Sequence, residues 1–135
     1  MPKIYIAGPM SGKTNNNEKT FFKKEKELIL AGWEVVNPAR LDKELLANVS
    51  PDRYTYEGCA RRDIAALKGC VAIYMLSEWE ESKGACWERA LAEFWGIKRY
   101  YEVPRADRLE VPNISPITKD IARNQTHNHN KELQC

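Results

Sequence analysis

Cys70-Val-Ala-Ile-Tyr-Met-Leu76 is the most apolar run in the sequence, set between Gly69 and the polar Ser77-Glu78. It is far too short to span a membrane and has the length of a strand. With no polar residue alternating through it, such a strand wants both faces covered, as in a parallel sheet sandwiched between helices. The segments on either side fit that demand. A helical pattern from about Tyr54 to Lys68 precedes the run and stops at Gly69. A polar loop, Ser77 to Lys83, follows it, then a helix from Gly84 to Trp95 stopped by Gly96, then a strand from Ile97 to Tyr101. Further upstream, Lys3 to Ala7 reads as a buried first strand that ends at Gly8-Pro9. The small, polar loop Gly8 to Asn17 leads into a helix from Glu18 to Ala31, and Trp33 to Val36 forms a short strand closed by Asn37-Pro38. Leu41 to Ala47 is expected to form one or two helical turns before the Asn48 to Arg53 turn cluster. Strands that alternate with helices argue for an α/β fold with a parallel sheet.

The pattern divides the chain into an ordered unit, residues 1–103, and a poorly patterned, partly ordered C-terminal segment, residues 104–135. That segment carries Pro104, Pro112, Pro116 and many Asn. Its His127 and His129 lack a third ligand and read as solvated surface. At 135 residues, the chain suits one domain. Its 21 basic and 19 acidic residues leave a net charge of +2 with no massed basic face, which argues against a nucleic acid polymer as partner. Cys59, Cys70, Cys86 and Cys135 have neither disulfide-framework nor zinc spacing and read as small core residues plus one tail thiol. No apolar run reaches membrane-spanning length, so a soluble cytoplasmic protein without membrane contact is expected.

In an open parallel sheet, ligands bind beyond the carboxyl ends of the strands, which nominates Gly8 to Asn17, Asn37 to Arg40 and Ser77 to Gly84. Gly8 and Gly12 permit close backbone approach to an anion such as a phosphate, or form plain connections. Helical periodicity adds a sharper signal. Asp63 shares a face with Tyr56, Cys59, Ala60, Ala66 and Leu67, whereas Arg61 and Lys68 face away. Glu88 lies between Leu91 and Ala92, beside Gly84 and Ala85, with Arg89 and Glu93 on the far side. A carboxylate on an apolar stripe is costly unless it is bonded. Each therefore serves either a structural pairing, with Arg61, Arg62, Arg89 or backbone N–H groups, or acid/base and nucleophilic chemistry. Gly8 to Thr14 also has the look of a phosphate-binding P-loop after a strand, but its glycines are one residue too close and Pro9 removes an N–H donor.

Three segments in order, Ile4-Tyr-Ile-Ala-Gly-Pro-Met10, Arg62-Asp-Ile64 and Ser82-Lys-Gly-Ala-Cys-Trp-Glu88, together resemble the nucleoside 2-deoxyribosyltransferase-like superfamily. Within it the chain looks most like the small bacterial and phage group that begins IYIAGPM and carries an NPA turn, here Asn37-Pro38-Ala39, and is similar to 2-deoxynucleoside 5′-monophosphate N-hydrolases. The resemblance spans about Met1 to Tyr101. It implies a Rossmann-like (flavodoxin-like) parallel sheet of four to five strands flanked by helices, in a homodimer or larger homo-oligomer. It further implies cleavage of the N-glycosidic bond of a 2-deoxynucleoside or its 5′-monophosphate, by hydrolysis or base transfer, without metal or organic cofactor. Carried over, Glu88 corresponds to the nucleophile, Asp63 to the acidic partner and Tyr5 to a substrate-orienting hydroxyl. Gly8, Pro9, Met10, Gly12, Asn37, Ser82 and Gly84 would line the substrate site. Ser82 stands where the transferases tend to have an aspartate and the nucleotide hydrolases a serine, which points to a 5′-monophosphate, with Lys83 or Lys13 adding charge; the same hydroxyl suits an ordinary helix N-cap. Trp87 and Arg89 depart from the enzymes' pattern around the glutamate, which keeps open a non-catalytic protein that senses or sequesters a nucleotide in the same crevice.

Overall fold

The computed structural model describes residues 1–103; the expectations for residues 104–135, including the two histidines and Cys135, lie outside the described residues. Four parallel strands, β1 (Lys3–Ala7), β2 (Glu34–Val36), β3 (Ala72–Met75) and β4 (Lys98–Tyr101), form one sheet in the order β2-β1-β3-β4. Four helices flank it: α1 (Glu18–Leu30), α2 (Pro38–Asn48), α3 (Tyr56–Lys68) and α4 (Lys83–Phe94). The expected α/β architecture is therefore present, with four strands among the described residues. Side chains alternate across β1. Ile4 and Ile6 join Phe21, Leu28, Trp33, Tyr74 and Tyr100 in one core layer, while Tyr5 and Ala7 join Leu67, Ile73, Met75, Ala85 and Ala92 in the other. Every residue of β3 is buried, as its unbroken apolar pattern requires.

The helix boundaries follow local chemistry. Ser82 Oγ accepts from the Ala85 N–H at 3.1 Å and starts α4; Thr55 Oγ1 accepts from the Gly58 N–H at 3.0 Å and starts α3. The largest difference from the sequence reading is α2, which has 11 residues instead of one or two turns. Asn37 is its N-cap, accepting from the Ala39 N–H at 2.9 Å, and Pro38 occupies the first turn, where a missing N–H costs nothing. What reads as a strand-closing turn thus also opens a helix. The Arg40 guanidinium grips the buried Glu25 carboxylate of α1 through Nε at 2.8 Å and Nη2 at 2.5 Å, and Lys43 reaches Glu18 at 2.9 Å, so α2 is tied to α1.

Of the cysteines in the described residues, Cys70 is buried, whereas Cys59 and Cys86 are only half-buried; all three are free. Among the described residues, no helix is long and apolar enough to cross a membrane.

Candidate active site

The sheet order reverses direction between β1 and β3, so the connections leaving these two strands diverge to opposite faces and leave a crevice at their carboxyl ends. A cavity of about 510 Å³ lies there, within the range of small-molecule sites. Its walls come from the loop after β1 (Gly8, Pro9, Met10), from Asp42 on α2, from Cys59 and Asp63 on α3, and from Ser82, Gly84 and Glu88 at the start of α4. Tyr54, Tyr56 and Trp87 also contribute, the last two largely exposed.

Of the carboxyl groups that line this space, Glu88 and Asp63 are the two whose midpoints are displaced. Glu88 receives the Tyr5 hydroxyl on Oε2 at 2.5 Å, a bond that joins α4 to the fully buried middle of β1. One carboxylate oxygen is thereby fixed. Burial pushes the Glu88 carboxyl up to about 8; the Tyr5 bond opposes that and the charge of Asp63 adds to it. Asp63 accepts twice from Arg62, through Nε at 2.9 Å and Nη2 at 2.6 Å, and both bonds land on Oδ1. Burial nevertheless raises Asp63 to about 6 against the pull of the guanidinium. The Tyr5 hydroxyl is raised well above its ordinary value, first by burial and then by the charges of Glu88 and Asp63. A half-buried pair of carboxyls with midpoints displaced toward neutrality, beside an ordered phenol, suits acid/base or nucleophilic chemistry. The two structural pairings foreseen for such residues divide unevenly: Asp63 does bind Arg62, whereas Glu88 is held by a tyrosine and Arg89 turns to the Tyr101 hydroxyl at 3.0 Å.

The other expected site residues fall into groups. Gly8, Pro9, Met10, Ser82 and Gly84 line the cavity. Tyr5 lies behind its wall and acts on it through Glu88. Gly12 and Asn37 do not line it. Gly12 has φ +82° with open space around its α-carbon and serves the turn, and Asn37 is committed to capping α2. Gly8 has a packing reason for its missing side chain, since a Cβ there would come within 2.8 Å of Leu76. At Gly84 a Cβ would meet the Tyr56 hydroxyl at 3.7 Å. Trp87, largely exposed, stands on the cavity rim.

The loop after β1 does not form a P-loop. Lys13 is engaged by Glu78 at 2.8 Å, and Asn15, Asn16 and Asn17 all take left-handed conformations before α1 begins at Glu18. Asn17 Nδ2 donates to the Pro9 carbonyl at 2.8 Å, which closes the loop on itself. Only a short 3-10 turn, Thr14–Asn17, follows Lys13, and no α-helix starts there to cradle a phosphate. Among the described residues, no group of three or more His, Cys, Asp or Glu side chains is placed to hold a metal ion.

Sequence reasoning did not single out Asp42 or Tyr54 on the cavity wall. Reading Pro38 as a first helical residue would have put Asp42 on a full helix beside the crevice. Tyr54 has no comparable local signal.

A family model described as a domain of unknown function (DUF4406) matches residues 2–101. No curated protein matches the sequence. Among solved structures, the 2-deoxyribosyltransferase of the psychrotolerant bacterium Bacillus psychrosaccharolyticus is similar, with a TM-score of 0.59 and 19% identity over 80% of this chain and 77% of that one. At that identity the likeness establishes a common fold.

Proposed function

For this chain, which belongs to the DUF4406 family, we propose cleavage of the N-glycosidic bond of a 2-deoxynucleoside 5′-monophosphate, by hydrolysis or by exchange of the base. The observation that carries the reading is the convergence of Glu88 and Asp63 on one cavity at the strand ends, with the Tyr5 hydroxyl on Glu88 at 2.5 Å. The shared fold with a 2-deoxyribosyltransferase supports it.

The chemistry proceeds in two displacements. Ionised Glu88, held at Oε2 by Tyr5, attacks the anomeric carbon with its other oxygen. A carbon–oxygen bond forms, the carbon–nitrogen bond breaks, and the electron pair leaves with the base, which takes a proton from Asp63. Water, or a second base, then attacks the same carbon and releases Glu88, while Asp63 collects the proton from the incoming group. Ser82 and Lys83, on the cavity wall, meet the 5′-phosphate; the Ser82 oxygen accepts from Ala85 and keeps its own proton to donate.

Incubation of the purified protein with a panel of 2-deoxynucleosides and their 5′-monophosphates, followed by chromatography for free base, tests the reading. Base release from a monophosphate is the expected result; its absence across the panel sinks the enzyme. One observation favours a second reading, a nucleotide-binding protein without turnover: Glu88, raised to about 8, keeps its proton at neutral pH in the empty site and is then no nucleophile. That reading predicts a higher melting temperature with nucleotide and no base released at any pH up to 9.

A further inference from the structure

Asp63 is gripped by its own neighbour in sequence, and that contact needs an explanation. Adjacent residues on a helix point about 100° apart and do not ordinarily face each other. Arg62 nonetheless places both Nε and Nη2 on Asp63 Oδ1. The third partner is Asp42, whose Oδ1 accepts from the same Nη2 at 2.6 Å and which approaches from α2. We propose that Asp42 and Arg62 are positioning residues of the site: Asp42 holds the guanidinium where it reaches Asp63, and the guanidinium fixes the Asp63 carboxyl over the cavity.

The surrounding packing supports this. Asp42 and Asp63 keep only 16% and 15% of their side-chain surface exposed and Arg62 24%, so the three do not exchange freely with water. Arg62 Nη1 is buried with no hydrogen-bond partner among the described residues. A guanidinium free to choose would turn that nitrogen to solvent, so its position is imposed by the two carboxylates. Asp42 is itself immobilised, because α2 is capped by Asn37 and clamped to α1 through Arg40 and Glu25. The charge balance has a chemical consequence. Burial raises Asp63 to about 6 against the pull of Arg62, and Asp42, which shares the guanidinium, adds its charge to that rise. The other groups around Asp63 are Tyr5 from β1, Glu88 from α4 and Cys59 from α3 itself. In the substitutions below all three stay unchanged.

The effect on turnover rests on the glycosidic reading, whereas the positioning does not, and the two are measured separately. The Asp63 carboxyl is titrated by carbon NMR in the wild-type chain, in Asp42→Asn and in Arg62→Gln, and base release from 2-deoxynucleoside 5′-monophosphates is followed in parallel. Asp42→Asn should lower the Asp63 midpoint by about one unit, and Arg62→Gln should raise it by about as much. At pH 7, Asp42→Asn should reduce kcat about tenfold and alter KM by less than ~3-fold, since fewer molecules then carry the proton. A neighbour that serves folding alone changes melting temperature without these opposed shifts. Should Arg62→Gln fail to fold, Arg62→Lys serves in its place: with one flexible ammonium for the two-point grip, it should also move the midpoint upward. Midpoints that stay put in the folded variants overturn the proposal even if the wild type releases base. Opposed shifts in a protein that releases none uphold the positioning and remove the glycosidic reading instead.

Discussion

Glu88 is costly to the fold, and that cost is the best sign of its use. A carboxyl whose midpoint is lifted by burial stays only because something else is gained, and the Tyr5 hydroxyl offsets part of the penalty while aiming one oxygen. Glu88→Gln retains shape and an acceptor for Tyr5 but cannot attack carbon. Base release should therefore fall by about three orders of magnitude, measured by chromatography under saturating nucleotide. Tyr5→Phe leaves Glu88 in place and removes the bond that favours its ionised form. The remaining causes, burial and the Asp63 charge, then lift Glu88 further, so the variant should lose about tenfold or more at pH 7 and recover much of that loss at pH 9. An equal loss at both values would show that the Tyr5 hydroxyl acts on the substrate and not on Glu88.

Among the elements, α2 shows most clearly what a sequence can and cannot disclose. Its cap is local, Asn37 Oδ1 to the Ala39 N–H at 2.9 Å, and Asn37→Ala should destabilise the protein by about 1–2 kcal/mol in a urea titration, with Asp42 displaced along with the helix. Gly8→Ala tests packing between elements in the same way. The new methyl group meets Leu76 within 2.8 Å at the switch point, and a loss of about 1–3 kcal/mol should follow, partly restored by Leu76→Ala. The strands and α1, α3 and α4 were legible because each carries its own period and its own stop signal; β3 stood out because an apolar run buried on both faces admits few other structures. The placement of Asp63 and Glu88 on inward helix faces followed from the same periodicity. The contact between Tyr5 and Glu88, 83 residues apart, did not, because strand pairing and not local sequence sets it. Asn37 was legible as a candidate but for another duty, since Asn-Pro signals a turn and a helix start alike. The three consecutive left-handed asparagines before α1 follow from no rule of spacing; asparagine tolerates that conformation, and the bond from Asn17 to the Pro9 carbonyl closes the loop.

At the scale of the molecule, the sheet order brings residues from β1, α2, α3 and α4 to a single crevice, and two of them leave a mark on the stability of the whole chain. In the unfolded state Glu88 and Asp63 titrate near 4.5 and 3.8; in the folded state they titrate near 8 and 6. Between these limits the folded chain binds more protons than the unfolded one, so stability falls as pH rises. The contribution of the pair is fully present below about pH 4 and lost in two stages, as pH passes through about 6 and then about 8. This is the reverse of the usual behaviour of salt-bridged carboxylates, whose contribution is lost in acid. Glu88→Gln removes the later stage. The variant should match the wild type at pH 4–5 and exceed it by about 2 kcal/mol at pH 9, read from denaturant titrations at each pH. A variant destabilised equally at both ends would mean that Glu88 is held ionised by its surroundings throughout, and that its place in the cavity is a structural one. A gain confined to alkaline pH, joined to the loss of base release, would place the cost of this residue and its use in the same ionisation.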